Sequence, residues 1–229
     1  MSDINEFERV FYPFLNAPSR DAKAPGMALL ASVKDSTLAK CREVMALRKE
    51  LFTEYETTLD EAAAAMADRF SRGGKLIAFG NGGSATDADD AAIDCLAPPH
   101  DAWRQLPALS LPADSATVTA LANDVGLESV FARQLAALGE REDIALGWST
   151  SGNSPNAVAA FTEARRRGML TIGFTGYDGG IVERTGAVDF CFVARREFVP
   201  RIQEGHATLW HALLTLVQHA LANPAEAAA

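Results

Sequence analysis

The chain has 229 residues, of which 48% are hydrophobic and 22% charged, as in ordinary soluble proteins with one sizeable core. Its net charge of -9 argues against a nucleic-acid-binding surface, although local basic groups could hold a small phosphate. The three cysteines are scattered and odd in number, which favours a reducing cytoplasm over a disulfide framework. We recognise no signal peptide and no apolar run that could span a bilayer, so we expect no membrane partner.

The N-terminal third is predicted to be helical after an irregular start. Residues 1–26 interleave prolines with aromatic side chains, which predicts an extension that packs against the body of the protein. Residues 27–72 carry apolar side chains at helical spacing and end in the alanine-rich stretch DEAAAAMADRF. We expect a pair of antiparallel helices here. Their apolar surface exceeds what one sheet face needs, which predicts an interface in a homo-oligomer.

From Lys75 the hydrophobic pattern changes to short apolar runs separated by polar loops and helix-like stretches. These runs are 75–79, 106–110, 143–148, 170–174 and 188–193. Near-continuous apolar strands that alternate with helices predict a parallel sheet covered on both faces. We therefore expect one α/β domain over residues 73–224, which ends in an amphipathic helix at 202–221.

Two polar segments follow strands, where ligands bind in open α/β sheets. The first, GNGGS at 80–84, combines glycines that a ligand can approach closely with the hydroxyl of Ser84 at a helix start. The second, STSGNS at 149–154, offers several hydroxyls and free N–H groups before a helix that Pro155 begins. Either segment alone is also typical of a turn with a helix cap. Together they favour one shared phosphate site.

A nicotinamide-binding site is the competing interpretation of the first segment. Its motif, G-x-G-x-x-G, would need Ala85 in place of the last glycine, and an acidic residue should end the next strand. That strand ends in ALSLPAD, where Asp114 is a poor match. The sequence therefore favours a small phosphorylated ligand over a dinucleotide.

Three segments, GNGGSATDA, STSGNS and RIQEGHATLWHALL, together resemble the sugar isomerase (SIS) domain, and specifically its phosphoheptose isomerase branch. The resemblance implies a three-layer α/β fold with a five-stranded parallel sheet and an N-terminal helical pair. It also implies a homotetramer with sites shared between subunits. The implied activity is an aldose–ketose isomerisation in carbohydrate metabolism, on sedoheptulose 7-phosphate or a similar ketose phosphate, through an enediol.

The resemblance also assigns roles to individual residues. It implies that the sugar phosphate is bound by Asn81, Gly82, Ser84, Asp124, Ser149, Thr150, Ser151, Ser154 and Gln203. It implies a site for zinc or another divalent ion at Asp90, Asp94, Gln203 and His211. The acid and base of the reaction would be Asp94 and His211. Asp87 and Asp89 are expected to cap the helix or support the site, and His206 to be a packing or surface residue.

Four positions depart from the family pattern. Asp90 and Asp94 stand where the family has His and Glu, and Pro98 and Pro200 stand where it has Arg and Asp. A site with two carboxylates, one amide and one imidazole leaves zinc, manganese, magnesium or no metal open. A solvated acidic helix face is the alternative interpretation of the two aspartates.

These departures keep a second functional hypothesis open. The protein would then be a non-catalytic SIS protein that binds phosphosugars or a protein partner such as the bacterial replication initiator.

Overall fold

The computed structural model describes residues 26–223, and their side chains from residue 30 onward. The chain divides into two compact units, one ending at Glu43 and the other beginning at Val44. The extension predicted for residues 1–26 lies outside the described residues except for Gly26. None of the described helices is long and apolar enough to cross a membrane.

The helical pair predicted for residues 27–72 is wrong, because this segment is a single helix. Helix α1 runs without interruption from Gly26 to Ser71. No glycine or proline occurs between these two residues, so nothing in the sequence forces a turn. The polar residues 34–37 do not end the helix. The hydroxyl of Thr37 donates a hydrogen bond to the carbonyl of Val33, one turn earlier, at 2.8 Å.

After α1, strands and helices alternate along the chain. The elements are β1 (Leu76–Gly80), α2 (Gly83–Leu96), β2 (Ala108–Ser110), α3 (Ser115–Asp124), α4 (Val130–Leu138), β3 (Ile144–Ser149), α5 (Pro155–Arg167), β4 (Leu170–Gly176), α6 (Gly180–Arg184), β5 (Phe190–Ala194) and α7 (Val199–Ala222). Two 3₁₀ turns, Leu111–Ala113 and Leu127–Ser129, flank α3.

The five-stranded parallel sheet predicted from the apolar runs is confirmed. Its strand order is β2-β1-β3-β4-β5, and every neighbouring pair is parallel. The chain moves outward from β1 to the edge strand β2 and then returns to the other side of β1. The switch point therefore lies between β1 and β3, whose last paired residues are Gly80 and Trp148. Ligands in such sheets bind beyond this point, where both polar segments begin.

Two apolar clusters pack against the sheet, one on each face, and give the three-layer architecture. One cluster joins the strands to α1, α2 and α7 through side chains such as Leu51 and Trp210. The other joins them to α4 and α5 through Phe131 and Phe161. All residues of β1, β3 and β4 are buried, as expected for strands covered on both faces.

Candidate active site

The first polar segment forms a tight turn between β1 and α2. Gly82 has a φ of 57°, in the left-handed region that favours glycine, and precedes the first residue of α2. A Cβ on Gly80 would overlap the carbonyl of Ser84, so the turn also requires glycine there. The backbone N–H of Ser84 donates to the carbonyl of Asn81 at 3.0 Å, and the Ser84 side chain is buried. The sequence thus places a buried hydroxyl in the first turn of α2.

The second polar segment follows β3 and begins α5. Ser149, the last residue of β3, is buried, and its hydroxyl donates to the hydroxyl of Ser154 at 2.9 Å. Thr150 comes next and is half-buried. Ser154 is the N-cap of α5, and Pro155 is its first residue. Since backbone N–H groups at a helix start are available to an anion, this segment offers donors of two kinds in one place.

The middle of the second segment is braced by the start of α6. The hydroxyl of Ser151 accepts a hydrogen bond from the backbone N–H of Asn153 at 3.2 Å. The side-chain oxygen of Asn153 accepts one from the N–H of Ile181 at 2.9 Å. Gly152 has a φ of 61°, and a Cβ there would overlap the carbonyl of Gly179. These contacts restrict the conformation of the loop.

A residue that sequence analysis missed joins the two segments. Asn156, in the first turn of α5, is buried and exchanges two side-chain hydrogen bonds with Asn81, at 2.8 and 2.9 Å. The sequence could have indicated this residue, because it lies only two positions beyond the end of STSGNS. The pair fixes the two loops relative to each other.

A cavity of about 600 Å³ lies beside this pair, in the range of small-molecule sites. It is lined by Asn81, Gly126, Leu127, Glu128, Ser154, Pro155 and Asn156. The loop at 126–128 was not predicted from the sequence to line the site. Gly126 begins this loop and has a φ of 105°. Asp124, two residues earlier, ends α3, is exposed, and accepts a hydrogen bond from Asn123 at 2.9 Å.

Gln203 lies against the start of α2, and the half-buried carboxyl of Asp87 follows one turn later. A Cβ on Gly83 would collide with the Gln203 amide, which shows how closely α7 approaches α2. Burial raises the pKa of Asp87 to about 6, a hydrogen bond with Gln203 lowers it, and the charge of Asp90 raises it. The Asp87 Oδ2 atom is buried without a hydrogen-bond partner among the described residues. This carboxyl therefore changes charge closer to neutral pH than an ordinary aspartate.

The next two carboxylates of α2 differ in their surroundings. Asp89 accepts a hydrogen bond of 2.5 Å from the hydroxyl of Ser110, at the end of β2. It therefore ties α2 to the edge strand. Asp90 is exposed, and its charge contributes to raising the pKa of Asp87.

Asp94 and His211 lie together where α2 and α7 meet. The Nε2 atom of His211 is 3.6 Å from the Oδ2 atom of Asp94, and the indole N–H of Trp210 donates to the same oxygen at 2.9 Å. The Asp94 side chain is 25% exposed and that of His211 67% exposed. Asp94 is thus reached by Trp210 from the core and by His211 from the surface. Trp210 was not among the residues predicted from the sequence.

The imidazole of His211 also faces a groove between α1 and α7, of about 350 Å³. The groove is lined by Arg48, Phe52, Ala207, Thr208, His211, Ala212 and Thr215. His211 is therefore accessible to a ligand or to a second subunit.

The four residues predicted to bind a metal do not form an assembled site in one chain. Gln203 lies opposite the start of α2, whereas His211 lies opposite Asp94 near its end. Eight residues of helix separate the two, a rise of about 12 Å. Within residues 26–223, no group of three or more His, Cys, Asp or Glu side chains could hold a metal ion. One carboxylate beside one imidazole does not fit a four-coordinate zinc site.

Comparison with known proteins places this geometry in a family. Residues 41–176 match the family described as "SIS domain". The phosphoheptose isomerase of Solidesulfovibrio magneticus is 42% identical over 179 residues, which cover 78% of this chain and 86% of the relative. That of Desulfovibrio desulfuricans is 44% identical over 191 residues, 83% of this chain and 90% of the relative. The chain belongs to the phosphoheptose isomerase branch of the SIS domain family.

Membership of the SIS family agrees with the fold. The phosphoheptose isomerase structure from Neisseria gonorrhoeae superposes with a TM-score of 0.74 at 32% identity. The alignment covers 82% of this chain and 99% of that structure. The resemblance drawn from the three sequence segments, and the three-layer α/β fold with a five-stranded parallel sheet that it implied, are therefore confirmed.

Proposed function

We propose that this SIS protein isomerises a phosphorylated ketose, sedoheptulose 7-phosphate or a ketose phosphate of similar length, to the corresponding aldose. The observation that carries the proposal is the contact between Asp94 and His211, at 3.6 Å. It places a carboxylate and an imidazole, two groups that act as general acids and bases in enzymes, in reach of each other. The names of the relatives support the same reaction.

The phosphate end of the substrate would bind at the switch point of the sheet. Ser149, Thr150, Ser151 and Ser154 supply hydroxyls around the start of α5, and Ser84 supplies one at the start of α2. Backbone N–H groups and the helix dipole at both starts favour an anion there. The sugar hydroxyls would then contact Asn81, which lines the cavity, together with Gly82, Asp124 and Gln203.

The chemical step needs two groups. One moves a proton between two carbon atoms of the sugar, and the other transfers a proton between their oxygen atoms. A base removes the proton from the carbon next to the carbonyl, which gives an enediol, and the proton then returns to the neighbouring carbon. The second group transfers the hydroxyl proton. We assign these two roles to Asp94 and His211. No step is assigned to a metal ion, because the donors of one chain do not form a site for it.

We further propose that the protein acts as a cytoplasmic homotetramer. In the first unit, Leu30, Val33 and Leu38 of α1 are exposed, and in the second unit Met45 and Phe52 are exposed. Such apolar side chains on a helix surface favour burial against another subunit. The described cysteines are all free, in keeping with a reducing compartment.

The test is a panel of five- to seven-carbon sugar phosphates incubated with the purified protein, with product identified by mass spectrometry and NMR. We expect isomerised product from a seven-carbon ketose phosphate. Asp94→Asn should lower turnover by at least about 100-fold while sugar phosphate binding persists. Asp101→Asn, a change on an exposed loop, is the control that should keep full activity. Binding without turnover by the unaltered protein would instead support the non-catalytic hypothesis.

A further inference from the structure

The buried indole of Trp210 and the partly exposed carboxylate of Asp94 share a hydrogen bond of 2.9 Å. Trp210 is only 2% exposed, whereas the Asp94 side chain is 25% exposed. We propose that Trp210 is a positioning residue, which holds the Asp94 carboxylate in the orientation that proton transfer with His211 requires. This inference rests on the proposed isomerase function.

The indole can serve as a fixed anchor because its own position is set by the core. Its ring packs edge-to-face on Trp148, with ring centroids 6.2 Å apart and an angle of 73°. Trp148 in turn stacks on Phe174, with centroids 5.3 Å apart and an angle of 11°. A tryptophan side chain has one donor and no acceptor, so this N–H can satisfy its hydrogen bond only at an oxygen such as Oδ2.

Asp94 needs such an anchor more than a glutamate would. The resemblance to the SIS family puts a glutamate at this position, and aspartate is one methylene shorter. A reacting group displaced by about 1 Å can lose about 100-fold in rate. Without Trp210, the carboxylate would be free to rotate toward solvent, since its other described neighbour, His211, is itself 67% exposed.

The two contacts on Asp94 converge on one oxygen. Oδ2 accepts from the Trp210 indole at 2.9 Å and is also the atom 3.6 Å from His211. The indole therefore determines where Oδ2 stands relative to the imidazole. Trp210 and His211 are adjacent on α7 and about 100° apart around its axis, so they approach this oxygen from different directions.

The experiment compares Trp210→Phe with Trp103→Phe. Both changes remove one indole N–H and keep an aromatic ring. Trp103 is half-buried and packs on His100, with centroids 4.7 Å apart. We expect Trp210→Phe to lower kcat by about 10- to 100-fold with KM changed less than about threefold. Trp103→Phe should leave both constants unchanged.

A second measurement reports the contact without any activity. The chain has three tryptophans, so its indole N–H signals in a ¹H–¹⁵N NMR spectrum can be assigned with Phe variants. Asp94→Asn replaces a charged acceptor by a neutral one, which should move the Trp210 signal and leave the Trp103 signal in place. An unmoved Trp210 signal would overturn the inference, even if Trp210→Phe failed to fold.

The outcomes separate this inference from the proposed function. If the unaltered protein is active and Trp210→Phe retains its kcat, the positioning role is wrong and the isomerase function stands. If the unaltered protein turns over none of the sugar phosphates, the isomerase function is wrong and the positioning role is overturned with it.

Discussion

Asn81 and Asn156 exchange two side-chain hydrogen bonds, at 2.8 and 2.9 Å, across the switch point of the sheet. Asn81 follows β1 and Asn156 lies in the first turn of α5, so the pair joins the two loops proposed to hold the phosphate. Because each amide supplies both a donor and an acceptor, neither can be replaced by a residue with only one of them. The pair therefore acts as a brace between the two halves of the site.

The brace predicts that Asn156→Ala weakens sugar phosphate binding. The change removes both hydrogen bonds and frees the Asn81 side chain, which lines the cavity. We expect the dissociation constant, measured by calorimetry, to rise about tenfold, and the free energy of unfolding to fall by about 1 to 3 kcal/mol. Asn223→Ala, near the exposed end of α7, is the control. An unchanged dissociation constant would show that the brace does not serve binding.

The hydroxyls of the second segment predict a separate effect on phosphate affinity. Replacing Ser151 and Ser154 together by alanine should weaken sugar phosphate binding by up to a few kcal/mol. The fold should persist, since neither side chain is fully buried. Ser71→Ala, at the exposed end of α1, is the matched control. Equal calorimetric affinities for the double variant and the control would remove these hydroxyls from the phosphate site.

The sheet and the two loops could be predicted because their signals are local. Each strand is a short apolar run, and each loop combines Gly, Ser and Asn directly after a strand. The parallel order then brings the ends of β1 and β3 together without further information. The single helix α1 could have been predicted as well, since residues 27–71 hold no glycine or proline.

Contacts between helix faces could not be predicted in the same way. Trp210 and Asp94 are 116 positions apart, and their hydrogen bond depends on how α7 crosses α2. Helical spacing predicted that Gln203 and His211 share a face of α7, but it could not say which turn of α2 each would meet. The sequence therefore predicted a four-residue metal site. The structure does not assemble this site in the described part of the chain.

If the exposed apolar residues of α1 form a subunit interface, replacing them with charged residues should lower the mass of the assembly in solution. Met45 and Phe52 are 64% and 46% exposed and stand seven residues apart, as in a helix–helix seam. Met45→Glu with Phe52→Glu should dissociate a tetramer of four 24.4 kDa chains into smaller species. Thr53→Glu, at an exposed polar position, is the control. Light scattering that gives a monomer for the unaltered protein at micromolar concentration would contradict the prediction.

A single substitution should raise the affinity of the protein for zinc. Asp90 lies one helical turn before Asp94, so Asp90→His would add a second imidazole beside the Asp94 and His211 pair. We expect zinc affinity, measured by competition with a chelator, to rise by at least about tenfold. Asp101→His, on an exposed loop, should not raise it. Equal affinities for both variants would mean that position 90 does not face the pair.

The last prediction concerns His206, a fully buried residue that packs rather than lying at the surface. Its Nε2 atom lies 2.7 Å from the carbonyl oxygen of Thr175, so a neutral ring donates there. Its Nδ1 atom is buried with no partner among the described residues. Burial lowers the pKa of His206 to about 4, while the backbone contact raises it. An unfolded chain would have a histidine pKa of about 6.5.

These two values give the sign of the pH effect. Between about pH 4 and pH 6.5 the unfolded chain binds more protons at His206 than the folded one, so stability falls as the pH falls. From about pH 7.5 to pH 5 this group should remove about 2 kcal/mol from the free energy of unfolding. His206→Gln keeps a side-chain donor but does not titrate. Over that pH range its free energy of unfolding, measured with urea, should fall correspondingly less than that of His219→Gln. His219 is an exposed histidine. Equal losses in the two variants would show that His206 is not the group responsible.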